Sequence, residues 1–214
     1  MQKTKIFIAS SNQGKIREIQ EIFKDYEIIT DRLKFEHLEV QENADSFEGN
    51  ALIKAKALFE TLPYMQNFLT MADDSGLCID DLNGEPGIYS ARYANIKLGI
   101  MKNSSDDANI ACIIKQMKEK SLQSSKAKFI ASVAIVGRIN GNNLEFVTRG
   151  ELQGDVINSP RGKNGFGYDP IFIPQGYSQT LGELQAKEKN KISHRKKALE
   201  KINDFLSNQD LKNF

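Results

Sequence analysis

The stretch Phe129 to Val136, Phe-Ile-Ala-Ser-Val-Ala-Ile-Val, is apolar on both of its alternating faces. A strand of that composition has no side to give to water, so it reads as the centre of a sheet covered by other layers. The surrounding chain alternates between the two periodicities that such cover requires. Lys5 to Ala9 reads as a short strand, and Ile16, Ile19, Ile22 and Phe23 then recur at helical spacing. Tyr26 to Thr30 reads as a second strand. A polar, acidic stretch from Glu36 to Glu48 leads into a helix whose Leu52, Ala55, Leu58, Phe59 and Leu62 share a face. Asn67 to Ala72 is expected to be a strand that stops at Asp73-Asp74, with extended chain resuming over Leu77 to Asp80 before the turn-rich Asn83-Gly84-Glu85-Pro86-Gly87. Ser104 and Ser105 ahead of Asp106 and Asp107 mark a capped helix start, running to about Lys120. Asn140-Gly141-Asn142 fits a hairpin turn into Leu144 to Thr148, and Ile171 to Ile173 adds another strand. Ser193 caps a last helix with an apolar stripe of Ala198, Leu199, Ile202, Phe205 and Leu206, and the polar tail from Ser207 is expected to fray.

Length and charge narrow the class. A chain of 214 residues suits one substantial domain, expected to span residues 1–214. Its 29 basic and 28 acidic residues leave a formal charge of +1, which argues against nucleic acid or an anionic membrane as partner. Any phosphate binding must be local. Cys78 and Cys112 lack CxxC spacing or an accompanying His cluster, which speaks against zinc and for reduced thiols. The apolar run near the N-terminus is too short for a signal-peptide core, and no stretch reaches membrane-span length. A soluble cytoplasmic protein is expected.

Four separated segments carry chemistry. In Ser10-Ser11-Asn12-Gln13-Gly14-Lys15 a strand feeds a helix, so amides and the positive end of the dipole face outward beside the Lys15 charge. Phosphate suits that place, although small polar residues and glycine also suit any tight turn, and the P-loop spacing is missing. Asp73 and Asp74 at a sheet edge would repel unless a cation or donor compensates. Mg2+ fits, because it keeps several waters, bridges to phosphates and needs only one or two carboxylates, although Asp-Asp-Ser-Gly equally suits a capped turn; Glu42 or Asp45 could add another ligand, with solvated loop charge as their default. Gly165-Phe166-Gly167-Tyr168-Asp169-Pro170 sets two aromatics on a backbone opened by glycines, where a base could stack for about 1–3 kcal/mol, or where the aromatics could equally plug the core. At Ser193-His194-Arg195, with Lys189 and Lys191 upstream, donors cluster at a helix start. Donors favour a 6-oxo purine over adenine, which would leave them unpaired at roughly 1–3 kcal/mol per group.

Taken together, Ser11-Asn12-Gln13-Gly14-Lys15, Phe47-Glu48-Gly49-Asn50-Ala51, Ala72 to Leu77, Pro86 to Tyr93, Gly165 to Pro170 and Glu188 to Arg195 resemble the inosine triphosphate pyrophosphatase family from Lys5 to about Leu206. Each motif alone is weak; the six in this order are specific. The resemblance implies an α/β fold with an elongated, twisted mixed sheet flanked by helices, two lobes around a central substrate cleft, and a homodimer. It implies that Ser10, Ser11, Asn12, Gln13, Gly14 and Lys15 hold phosphates, and that Asp74 is general base and magnesium contact. Ser75 would touch substrate, Phe166, Gly167, Tyr168 and Asp169 would hold base and sugar, and Lys189, His194 and Arg195 would read the purine. Two departures stand out: Ser10-Ser11 replaces the family's Thr-Gly, and Gln41 stands where a metal-contacting glutamate is usual.

The expected activity is Mg2+-dependent hydrolysis of ITP, dITP and XTP to the monophosphate and pyrophosphate. Alternatives are a pyrophosphatase for other modified triphosphates, a nucleotide-binding module without hydrolysis, and a protein that binds unstacked RNA bases.

Overall fold

Every second residue of a strand faces the same side of its sheet, and a computed structural model shows how this chain uses both sides. It describes residues 3–8, 10, 12–30, 40–62, 68–139 and 141–208, with Gln13 through its backbone alone. Ala9, Ser11, Glu36 to Glu39, Asn67, Asn140 and the tail beyond Asn208 lie outside the described residues.

In chain order the elements are β1 (Lys5–Ile8), α1 (Gln13–Ile22), β2 (Glu27–Ile29), α2 (Phe47–Thr61), β3 (Phe68–Ile79), α3 (Tyr93–Ile96), α4 (Asp106–Glu119), β4 (Ser124–Ile139), β5 (Asn142–Ile157), β6 (Phe172–Pro174), α5 (Ala186–Ile192) and α6 (His194–Asn208). The sheet order is β2-β1-β3-β4-β5-β6. β1 runs parallel to β2 and β3, while β5 and β6 are antiparallel, so the sheet is mixed, as expected.

The chain divides into two compact units. Unit 1 holds residues 1–74, 131–150 and 195–214; unit 2 holds 75–130 and 151–194. Neither is a continuous segment. The chain passes between them at Asp74/Ser75, Ile130/Ala131, Gly150/Glu151 and His194/Arg195, so β3, β4 and β5 each give residues to both.

Unit 1 is layered helix, sheet, helix. Ile6, Ile8, Leu69, Met71, Val133 and Ile135 pack with Ile19 and Phe23 of α1 and with Ala198, Leu199, Ile202 and Leu206 of α6. The intervening positions point the other way: Ala72, Ala134 and Val136 meet Ala51 and Ala55, and Phe7 and Phe68 meet Leu58, all three partners being on α2. Thr70, on that same face, donates from Oγ1 to the Ala55 carbonyl oxygen at 2.9 Å. β4 is thus covered on both faces within unit 1, which accounts for its double-sided apolar pattern. Unit 2 has its own core, in which Ile110, Ile113 and Met117 of α4 pack on Leu77, Ile79, Phe129, Leu152 and Val156.

Several boundaries differ from expectation. β3 runs unbroken through Asp73 and Asp74, because each carboxylate finds a cationic partner on its own face and neither needs a turn to reach water. β4 and β5 are each 16 residues long, extending well past the apolar runs that mark them in the sequence. Leu62 falls outside α2, as its C-cap. Among the described residues, no helix is long and apolar enough to cross a membrane.

Candidate active site

On β3, Asp73 points to the face carrying Leu69 and Met71, and Asp74 to the face carrying Ala72. This places the two acids in different company. The Asp73 Oδ2 atom accepts from Lys15 Nζ of α1 at 2.8 Å and from Arg195 Nε of α6 at 3.2 Å. Arg195 is 2% exposed and turns Nη1 toward Glu18, with N–O distances of 3.3 and 3.4 Å. Glu18, Arg195, Asp73 and Lys15 therefore form a chain of alternating sign, buried except at its half-buried Lys15 end. On the opposite face, the Asp74 Oδ1 atom accepts from Lys54 Nζ at 2.9 Å, and its Oδ2 from Asn50 Nδ2 at 3.4 Å. Lys54 also reaches Glu42 Oε1 at 3.0 Å.

These partners drive the two acids apart in strength. Burial pushes the Asp73 carboxyl up, but Lys15, then Arg195 and Lys54, outweigh it and hold the group well below the usual carboxylate range. For Asp74 burial wins: it raises the carboxyl above the usual range, with Lys54 opposing and Glu42 adding to the rise. Burial, together with the Arg195 and Lys54 charges, lowers Lys15 in spite of Asp73. Burial would lower Lys54 as well, yet Asp74 and Glu42 raise it on balance.

The loop ahead of α1 is closed on itself. Asn12 caps the helix, its Oδ1 accepting from Gly14 N at 2.9 Å and Lys15 N at 3.2 Å, while Ser10 Oγ accepts from Asn12 N at 3.3 Å. Two amides expected to point at phosphate are thus already engaged by a side chain. Ser11 and the Gln13 side chain lie outside what is described. Gln41 is exposed, whereas Glu42 meets Lys54.

Unit 2 gathers the aromatic segment. The Asp169 Oδ2 atom accepts from Phe166 N at 2.8 Å and from Lys189 Nζ, and the same ammonium lies 4.3 Å from the centre of the Phe166 ring. Phe166 itself is 38% exposed. Tyr168 instead plugs the core, its hydroxyl donating to the Ser90 carbonyl at 2.8 Å; burial, chiefly, pushes its pKa up. Gly167 N donates to Asp106 Oδ2 at 2.6 Å. His194 is buried and lies flat on Phe129, centroids 4.9 Å apart and planes 9° from parallel. Ser75 is the first residue of this unit, partly buried.

The residues singled out in the sequence therefore fall into two groups. Ser10, Asn12, Gly14, Lys15, Glu42, Asp74 and Arg195 belong to unit 1, and Ser75, Phe166, Gly167, Tyr168, Asp169, Lys189 and His194 to unit 2. Three participants escaped the sequence reading: Lys54, Glu18 and the long-range role of Asp106. Spacing held a clue to two of them, since Lys54 lies one helical turn after Asn50 and Glu18 three residues after Lys15, on the same helix faces. Among the described residues no three His, Cys, Asp or Glu side chains gather into an all-protein metal site.

Comparison with known proteins identifies close relatives. The sequence pattern of the Ham1 family matches residues 6–205. The chain is similar to a dITP/XTP pyrophosphatase of Campylobacter jejuni, 43% identical over 92% of this chain and 94% of the relative. It is similar to another of that name from Sulfurimonas denitrificans, 44% identical over 91% and 94%. Among solved structures, the Ham1 protein of Staphylococcus aureus superposes with a TM-score of 0.81 at 36% identity, covering 96% of this chain and 99% of that one.

The electrostatics give opposite expectations for the two acids. With a folded pKa below its unfolded value of about 3.9, Asp73 contributes stability present above roughly pH 4 and lost as pH falls through the folded pKa. Asp73→Asn takes the carboxylate from Lys15 and leaves Arg195 with Glu18, and is expected to cost about 3–5 kcal/mol at neutral pH. Asp74 has a raised folded pKa, so its contribution is present at low pH and lost as pH rises through that value. Asp74→Asn is therefore expected to leave neutral-pH stability unchanged or higher. Urea unfolding of both variants between pH 3 and 7 checks this, and equal losses would contradict it.

Gly165 has φ +79°, and an added Cβ would stand 1.9 Å from Asp169 Oδ2; Gly167 has φ +60° but open space around it. Gly165→Ala is expected to displace Asp169 from Phe166 N and Lys189 and to lower stability by more than backbone strain alone. Gly167→Ala should cost only the left-handed strain of roughly 1–2 kcal/mol. Thermal unfolding of the pair separates these effects.

Proposed function

This chain belongs to the Ham1 family, and from that premise we propose that it hydrolyses non-standard purine nucleoside triphosphates, dITP, XTP and ITP, to the monophosphate and pyrophosphate. The names of the relatives supply the substrate class. The observation that carries the chemistry is the position of Lys54 Nζ, 2.9 Å from Asp74 and 3.0 Å from Glu42. Two carboxylates from distant parts of the chain already share one positive charge. A divalent cation suits the same oxygens, because Mg2+ asks for one or two protein carboxylates and completes its shell with water and phosphate. Glu42 and Asp74 would hold it, and when bound it neutralises phosphate charge and acidifies water.

The remaining chemistry falls to side chains of this protein. Water attacks the α-phosphorus, a new P–O bond forms, the bond to the α–β bridging oxygen breaks, and pyrophosphate leaves. Asp74 takes the proton of the attacking water. Its raised pKa suits that task, since a base works best when its pKa lies nearer the operating pH. Lys15, lowered by burial but paired with Asp73, lends positive charge toward the phosphates. The exposed Phe166 ring, with Lys189 beside it, offers a platform for the base. Reduced Cys78 and Cys112 agree with a cytoplasmic setting, and a homodimer is part of the same proposal.

The test is pyrophosphate release across ITP, dITP, XTP, GTP, ATP and pyrimidine triphosphates, with Mg2+ and with EDTA. Release confined to the first three nucleotides and abolished by EDTA is expected; none from any of them would overturn the reading. Asp74→Asn is expected to bind nucleotide with turnover down about 100-fold or more, the usual size of a lost general base. Undiminished turnover would remove Asp74 from that role. Sedimentation at micromolar concentration reads the dimer.

A further inference from the structure

Gly165 and Gly167 both sit at positive φ, so the segment that carries Phe166 is stretched between two residues with unusual backbone freedom. Such a loop holds one shape only if its amides are tied. Phe166 N is tied locally, by Asp169 three residues on. The tie on Gly167 is different in kind: it comes from Asp106, 61 residues away at the first position of α4, over 2.6 Å. α4 is a firm base for it, since Ile110, Ile113 and Met117 anchor that helix in the core of unit 2 and Ser105 caps it through Ala108 N. Tyr168, next in the chain, is fixed to the Ser90 carbonyl. Phe166 is left exposed in a loop pinned on both sides.

We infer that Asp106 is a positioning residue for purine recognition: its carboxylate holds Gly167 from α4 and so presents the Phe166 ring at a fixed height and tilt. This rests on the nucleotide reading above. Asp106 touches no reacting atom, so its loss acts on binding and not on the chemical step. Its neighbour Asp107 provides the control, as a first-turn carboxylate with the same relation to the helix dipole.

The experiment compares Asp106→Ala, Asp106→Asn and Asp107→Ala by steady-state pyrophosphate release from dITP with Mg2+, and by amide hydrogen exchange at Gly167 without nucleotide. Asp106→Ala is expected to raise KM about three- to ten-fold, the size of one charge-assisted hydrogen bond, with kcat changed less than about two-fold and Gly167 exchange accelerated. Asn keeps an acceptor oxygen, so Asp106→Asn should stay near the parent protein, and Asp107→Ala should match it in KM and exchange. Asp106→Ala indistinguishable from Asp107→Ala, or a fall in kcat with KM unmoved, would overturn the inference. If the parent protein released no pyrophosphate at all, the functional reading would fail by itself. Unchanged Gly167 exchange in Asp106→Ala would still dismiss the tie.

Discussion

Asp73 and Asp74 are consecutive in the chain yet serve opposite sides of β3, and this single consequence of the pleat organises unit 1. A strand alternates its side chains, so the two charges are not left to repel each other along one surface. α1 and α6 bring Lys15 and Arg195 to one of them, and α2 brings Lys54 and Asn50 to the other. The first acid ends as a buried, strongly ionised anchor for cations; the second is buried with weaker compensation and a raised pKa. A strongly ionised carboxylate and one with a raised pKa thus arise from the same residue type at adjacent positions.

The same rule separates the residues His194 and Arg195. Consecutive positions on a helix diverge by about 100°, so neighbours seldom share surroundings. His194 lies on Phe129 in unit 2, while Arg195 turns to Asp73 and Glu18 in unit 1. The donor cluster seen in sequence is, in space, an aromatic stack and a buried ion-pair network. A guanidinium shared by two carboxylates is geometrically fixed, since its planar fork matches them and leaves little rotational choice.

Much of the fold was legible because it depends on local periodicity. The stripe of Ala198, Leu199, Ile202 and Leu206 is fully buried in α6, and the double-sided apolar run of β4 is covered on both faces in unit 1. Strand ends were less legible: β3 continues through two acids because helices remote in sequence compensate them, and no local pattern records that. The strand-to-helix turn at Ser10 to Lys15 was legible, whereas the capture of its amides by Asn12 follows from side-chain geometry. Lys54 was overlooked since a lysine on an amphipathic helix reads as solvated until Glu42 and Asp74 are seen on either side of it.

Residue order therefore fixed which elements form, which faces are apolar and which motifs accompany one another, because propensity, capping and hydrophobic spacing act over a few residues. Folding in three dimensions decided the protonation preferences of Asp73 and Asp74, the partners of Arg195, and the hold of Asp106 on Gly167. Those depend on charges and donors far apart along the chain, and a Coulomb or hydrogen-bond energy follows separation in space, not separation in sequence.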